Sequence, residues 1–217
     1  MTIRAPRATS YRRRLLNAEL DALALASPGL DIGGGRRTWG RPLPPGWLTV
    51  DLKAPATVLA DVCALPFRPA SFATVKVIEV LEHVEYPRQA VRELRRILRP
   101  GGRLILSAPF QEPLHDDPED YGRYTDLMWR RLLTTAGFSV DRITAQGGYW
   151  THLASVLRFL LLRCPGGSLL LPVLDLLARL DRWAGPDFGA WVGGWFIVAK
   201  KDGEMLAAAW CYTHRDE

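Results

Sequence analysis

Cysteine is scarce in this chain. There are three, Cys63, Cys164 and Cys211, widely separated and without a CxxC pair. So small and odd a set argues against a disulfide framework and against a structural zinc site, and it suits a reducing cytoplasm. Long apolar runs are missing too. No uninterrupted stretch reaches the roughly 18 residues of a membrane-spanning helix. The opening Met-Thr-Ile-Arg-Ala-Pro-Arg has no apolar h-region, so no secretory signal is expected. Concentrated basic charge is limited: the net charge of +5 is scattered apart from Arg12, Arg13, Arg14 and the shorter cluster Arg95, Arg96, Arg99. That pattern fits a solvated surface and disfavours nucleic acid as a partner. No internal repeat is seen. No metal is expected either, because His115, Asp116 and Asp117 are adjacent and adjacency does not arrange three ligands around one ion.

What is present is a globular chain. Its apolar share of 48% over 217 residues is enough to bury a sizeable core in one compact α/β domain. Residues 10–26 place Leu15, Leu16, Leu20, Leu23 and Leu25 near one side of a helical pattern, ended by Ser27-Pro28-Gly29. Short strands are expected at 30–32, 47–52 and 57–60. Residues 72–80 have the β-branched density of a buried strand. A helix over 87–98, with Pro87 in its first turn, should stop at Arg99-Pro100-Gly101-Gly102 before a strand at 103–108. A second helix over 125–136 has Thr125 as N-cap and Gly137 past its end. Strands at 138–144 and 195–200 close the series. The alternation of strand and helix argues for a parallel sheet with helices on both faces.

In such a sheet, ligands bind outside the carboxyl ends of the strands. Three features fall there. The turn Asp31-Ile32-Gly33-Gly34-Gly35 follows the first strand, where glycine lets a ligand approach the backbone. Asp51 ends the second strand, where a carboxylate can accept both hydroxyl hydrogens of a ribose. Asp61, after the third, can accept a hydrogen bond from an adenine amino group. A dinucleotide fold would want G-x-G-x-x-G, and Thr38 stands at its last position. S-adenosyl-L-methionine has no phosphate and makes no such demand.

The stretches LDIGGG (30–35), VDL (50–52), ADVCALPF (60–67), SFATVKVIEVLEHVEYPRQAVRELRRILRPGG (71–102), RLILSAPF (103–110) and GWFIVAKK (194–201) resemble the class I methyltransferases, in particular the methyltransferase type 11 group. The resemblance implies a Rossmann-like sheet of seven strands ordered 3-2-1-4-5-7-6, the last antiparallel, within a single domain over 1–201 and a tail over 202–217. It implies S-adenosyl-L-methionine as cofactor. Asp31, Gly33 and Gly35 would line its methionine end, Asp51 its ribose, Asp61 and Val62 its adenine, and Glu79 and Val80 would lie near the sulfonium. Arg37 departs from the D-x-G-x-G-x-G form, and Ala73 stands where S-F-D is usual.

The loop 109–125 resembles a P-F…H…P-x-D-Y-x-R-[YF]-T segment of a subset of these enzymes. It makes His115 and Tyr124 the candidate catalytic residues, His115 as a base near pH 7. The alternative is that Asp120, Arg123 and Tyr124 only brace the loop; His83 is expected to be structural. Because the fourth strand runs into Ile78-Glu79-Val80-Leu81, the Asn/Asp-Pro-Pro-Tyr pattern of base-amino methylation is absent.

The expected function is methyl transfer to oxygen or nitrogen of a small molecule, natural product, or glycan or lipid-linked acceptor. A nicotinamide-dependent oxidoreductase and a non-catalytic cofactor-binding or membrane-associated accessory protein are the alternatives. Residues 149–190 form an apolar helical insertion before the last strand. Within them 152–180 reads as a peripheral membrane contact beside a cytoplasmic domain, as a lid or homodimer contact, or as a helical pair packed on the domain.

Overall fold

In a computed structural model of the chain, residues 11–35, 39–40, 42–114, 119–183 and 191–203 are described. Seven strands form one sheet in the order β3-β2-β1-β4-β5-β7-β6. They are β1 (Gly29–Ile32), β2 (Trp47–Asp51), β3 (Val58–Leu59), β4 (Phe72–Ile78), β5 (Leu98–Pro109), β6 (Phe138–Gln146) and β7 (Gly194–Lys201). β3, β2, β1, β4 and β5 are parallel neighbours, and β7 runs antiparallel to both β5 and β6. β6 therefore points the same way as β5. The strand order and the antiparallel last strand are those the sequence implied.

The alternating side chains of β4 sort the two faces of the sheet. Val75 and Val77 join Leu104, Leu106 and Ile197 under α2 (Pro87–Ile97) and α3 (Asp126–Thr135). α2 presents Ala90, Val91, Leu94 and Ile97 to that core at helical spacing. Ile78, Ile105 and Phe196 face the other way, where Leu16 and Leu20 of α1 (Tyr11–Asp21) cover them. Thr125 Oγ1 accepts from Met128 N at 3.3 Å and caps α3 as expected.

Two expectations need correction. α1 ends at Asp21 rather than 26, and its buried side is Tyr11, Arg12, Leu16 and Leu20, while Leu15 is exposed. The chain after Ile97 also does not turn before entering the strand; it enters β5 at once, carrying Pro100-Gly101-Gly102 inside it. A register shift between Phe72 and Thr74 absorbs the extra residues. Glycine is needed there: Gly101 has φ +72°, and a Cβ on Gly102 would lie 2.8 Å from the Arg99 carbonyl oxygen.

Between β6 and β7 stand α4 (Tyr149–Leu161) and α5 (Leu171–Arg179), both helical as expected. Gln146 and Gly194, which flank the pair, are in register with each other and with Pro109 at the end of β5. The pair thus leaves the sheet at the edge where β4 and β5 end. Among the described residues, no helix is long and apolar enough to cross a membrane.

Candidate functional site

β1, β2 and β4 end at one edge of the sheet, and a cleft of about 720 Å³ opens beside it. Gly33, Asp51, Asp61, Val62, Glu79 and Val80 line this cleft together, drawn from four separate connections of the sheet. Gly33 has φ +76° and donates its N–H to Val50 O at 2.8 Å, which pins the turn to β2. A side chain there would meet Val80 Cγ2 at 2.3 Å, so glycine is required both for conformation and for space.

Asp51 caps the turn from the opposite side. Its Oδ2 accepts from Gly35 N at 3.3 Å and its Oδ1 from Lys53 N at 3.1 Å. An ionised carboxylate offers about four lone-pair sites, so two remain for a ligand. Asp61 Oδ1 accepts from Cys63 N at 2.8 Å, and the residue lines the cleft. Val62 is buried and supplies apolar wall.

Asp31 and Gly35 are not among the lining residues. Asp31 is fully buried beneath the turn, with Lys76 Nζ 3.0 Å from its Oδ2. Lys76 also donates to Trp39 O at 3.1 Å. Burial outweighs the attraction of Lys76 and pushes the Asp31 carboxyl up to about 6. Asp31 therefore acts through the shape of the turn: a Cβ on Gly34 would lie 2.4 Å from its Oδ2. Gly35 contributes its amide to Asp51.

Glu79 sits just past β4 in the left-handed region, φ +56°, a conformation that a non-glycine residue rarely adopts. Its carboxylate is held by Arg12, which reaches in from α1. Arg12 also donates to Glu112 Oε1 at 3.1 Å and Gln146 Oε1 at 3.0 Å. Ser107 Oγ lies 2.8 Å from Glu79 Oε1 and 3.1 Å from Gln146 Oε1. Burial alone would favour loss of the Arg12 proton, but the charge of Glu79 and then Glu112 overrides it, so the guanidinium stays charged. One arginine thus ties the ends of β4, β5 and β6 together. Glu82, on the 3-10 turn Leu81–His83, is equally buried, and neither of its oxygens has a hydrogen-bond partner. Burial, then the charge of Glu79, raises its carboxyl well above the usual range.

Sequence reasoning missed Arg12, Ser107, Glu112 and Gln146. The one available signal was that Arg12 shares the spacing of Leu16 and Leu20 on the buried side of α1.

His115 lies outside the described residues. Tyr124, the other catalytic candidate, does not line the cleft: its ring packs edge-on against Trp129 with centroids 5.0 Å apart, and its carbonyl accepts from Trp195 Nε1 at 2.9 Å. Asp120 pairs with Arg123, and His83 Nδ1 bonds the Glu119 carbonyl. These contacts tie Asp120, Arg123 and Tyr124 to the loop and the core beside it.

A seven-stranded sheet of this order, with a glycine turn after β1 and acids at the ends of the next two strands, is the class I methyltransferase arrangement. Residues 45–106 match the methyltransferase domain family. A transposon-encoded protein of Streptomyces fradiae is 36% identical over 111 residues, 44% of this chain and 32% of that protein. An O-methyltransferase of Penicillium expansum is 25% identical over 147 residues, 64% of this chain and 50% of that enzyme. The chain thus spans half or less of the length of these relatives. Among solved structures, the Burkholderia thailandensis 1,6-didemethyltoxoflavin-N1-methyltransferase with bound S-adenosylhomocysteine superposes with a TM-score of 0.52 at 17% identity, covering 88% of this chain and 77% of that one; that likeness is one of fold.

Proposed function

We propose that this chain is an S-adenosyl-L-methionine-dependent methyltransferase acting on oxygen or nitrogen of a small molecule, natural product, or glycan or lipid-linked acceptor. The observation that carries the reading is the convergence of Gly33, Asp51, Asp61, Val62, Glu79 and Val80 on one cleft at the carboxyl edge of the sheet. The cleft fits the cofactor. Asp51 keeps two acceptor sites for ribose hydroxyls, Asp61 keeps an oxygen for an amino group, and the bare backbone at Gly33 admits close approach.

The bound cofactor supplies a methyl group on a sulfonium, already a good leaving group. What remains for the protein is alignment and exclusion of water. Gly33 and Val80 shape one wall, and Asp51 and Asp61 fix the two ends of the nucleoside. Glu79 brings its carboxylate to the cleft, and Arg12 holds it in place. The family match and the O-methyltransferase relative support the reaction class. The test is transfer of a labelled methyl group from the cofactor to a panel of hydroxyl and amine acceptors. Label in a hydroxyl or amine product supports the reading, whereas hydride transfer with a nicotinamide cofactor and no methyl transfer would replace it by an oxidoreductase.

A further inference from the structure

α4 and α5 pack on each other through Ala154, Leu157, Leu161, Leu171, Leu174 and Leu177, with Tyr11 of α1 closing the cluster. Their outer side remains uncovered by any described residue. Leu169, Val173, Leu176, Leu180 and Trp183 recur at intervals of four and three along α5 and its flanking 3-10 turns, which sets them on one stripe. Every one is exposed, from 38% at Leu180 to 81% at Leu169 and 86% at Trp183. A row of this length is not the scattered surface leucine of ordinary proteins.

Charge identifies what covers it. Arg163, Arg179 and Arg182 are exposed on the same segment, Arg163 over the Phe159 ring and Arg179 and Arg182 along the groove between α5 and α1. The only two acids of the segment 149–183 already have partners within the chain: Asp175 pairs with Arg14 at 2.7 Å at the surface, and Asp181 accepts from the amides of Gly148, Trp150 and Thr151 at 2.8 to 3.0 Å. The outer surface therefore joins apolar side chains to cationic heads. We propose that it is a membrane-docking face, lying in the headgroup layer of an anionic bilayer with Leu169, Val173, Leu176 and Trp183 in the acyl boundary and the arginines at the phosphates. α4, at 13 residues, reaches about 20 Å against a hydrocarbon core of about 30 Å, so the pair lies in the interface and does not span it. A second copy of the chain is the poorer occupant. A two-fold contact would bring two sets of the same arginines to one seam, and both acids of the segment already have partners within the chain. The surface stands independently of methyl transfer, although it adjoins the strand edge that borders the cleft.

The experiment is flotation of the full chain with vesicles of phosphatidylglycerol and phosphatidylcholine in equal parts, and with phosphatidylcholine alone. The proposal expects recovery with the anionic vesicles and little with the neutral ones. It expects Leu176→Glu combined with Val173→Glu, and separately Arg179→Glu combined with Arg182→Glu, each to lower the bound fraction about tenfold or more. All four positions are exposed, so S-adenosylhomocysteine affinity and the thermal midpoint should stay unchanged and report on the fold separately. No recovery with anionic vesicles, or recovery untouched by these substitutions, would overturn the proposal. So would vesicle binding that appears only after removal of residues 204–217, which would make the tail the occupant. A concentration-dependent dimer abolished by the same apolar substitutions, without vesicle binding, would give the face to a second copy.

Discussion

Arg12 is the residue on which the cleft's architecture turns. It pairs with Glu79 and Glu112 in a largely buried place, and a buried ion pair stripped of one partner leaves an uncompensated charge. Arg12→Ala should therefore cost about 3–5 kcal/mol in urea unfolding. Arg12→Met combined with Glu79→Gln should recover much of that loss, because the stranded charge goes with its partner. A loss below about 1 kcal/mol for Arg12→Ala, the range of an exposed pair, would mean that the network is solvated. Asp31 gives a second, separable effect. Its folded pKa of about 6 stands above the unfolded value near 4, so the native state binds the extra proton between them. Its contribution is fully present below pH 4 and is lost as pH rises through 6, by roughly 2–3 kcal/mol. Asp31→Asn should remove that slope from the pH 4–6.5 stability profile, as measured against the parent protein over the same range. Identical slopes would place the titration elsewhere.

At the scale of elements, the turn after β1 concentrates the most function in the fewest atoms. Gly33→Ala introduces a Cβ into a left-handed position and against Val80. The conformational term alone is about 1–2 kcal/mol, so S-adenosylhomocysteine binding should weaken about tenfold or more. Far-UV circular dichroism should be retained, because the turn lies outside the helices and the strand ladder. Affinity equal to that of the parent would show that the ligand does not use this turn. The elements differ in how far the sequence disclosed them. β4, α2 and α3 were legible because β-branched density, an apolar stripe and a Thr cap each act within one short window. The boundaries of α1 and β5 were not. Leu23 and Leu25 continue an apolar pattern without continuing the helix, and Pro100-Gly101-Gly102 reads as a stop although a bulge against Phe72–Thr74 carries it into the strand. Both outcomes depend on neighbours distant in sequence.

Across the whole molecule, Asp51 and Asp61 were legible from their places at strand ends, because the parallel topology brings those ends to one edge, while the strand order, Val62, Glu79 and Val80 came from the resemblance to the class I methyltransferases. The Arg12 network was hard to read because its members are up to 134 positions apart, and the spacing that Arg12 shares with Leu16 and Leu20 marks it as inward without naming its partners. The loop motif marked Tyr124, and its ring packs edge-on against Trp129. The central claim is that the cleft binds the nucleoside of a methyl-donor cofactor through the carboxylate at the end of β2. Titration calorimetry of the full chain with S-adenosylhomocysteine tests it most directly. The prediction is one site per chain, no comparable binding of NAD, and a loss of about 1.5–3 kcal/mol in Asp51→Ala, the range for hydrogen bonds to a charged group, with the fold intact. Binding of NAD without S-adenosylhomocysteine, or S-adenosylhomocysteine affinity unaffected by Asp51→Ala, would contradict it.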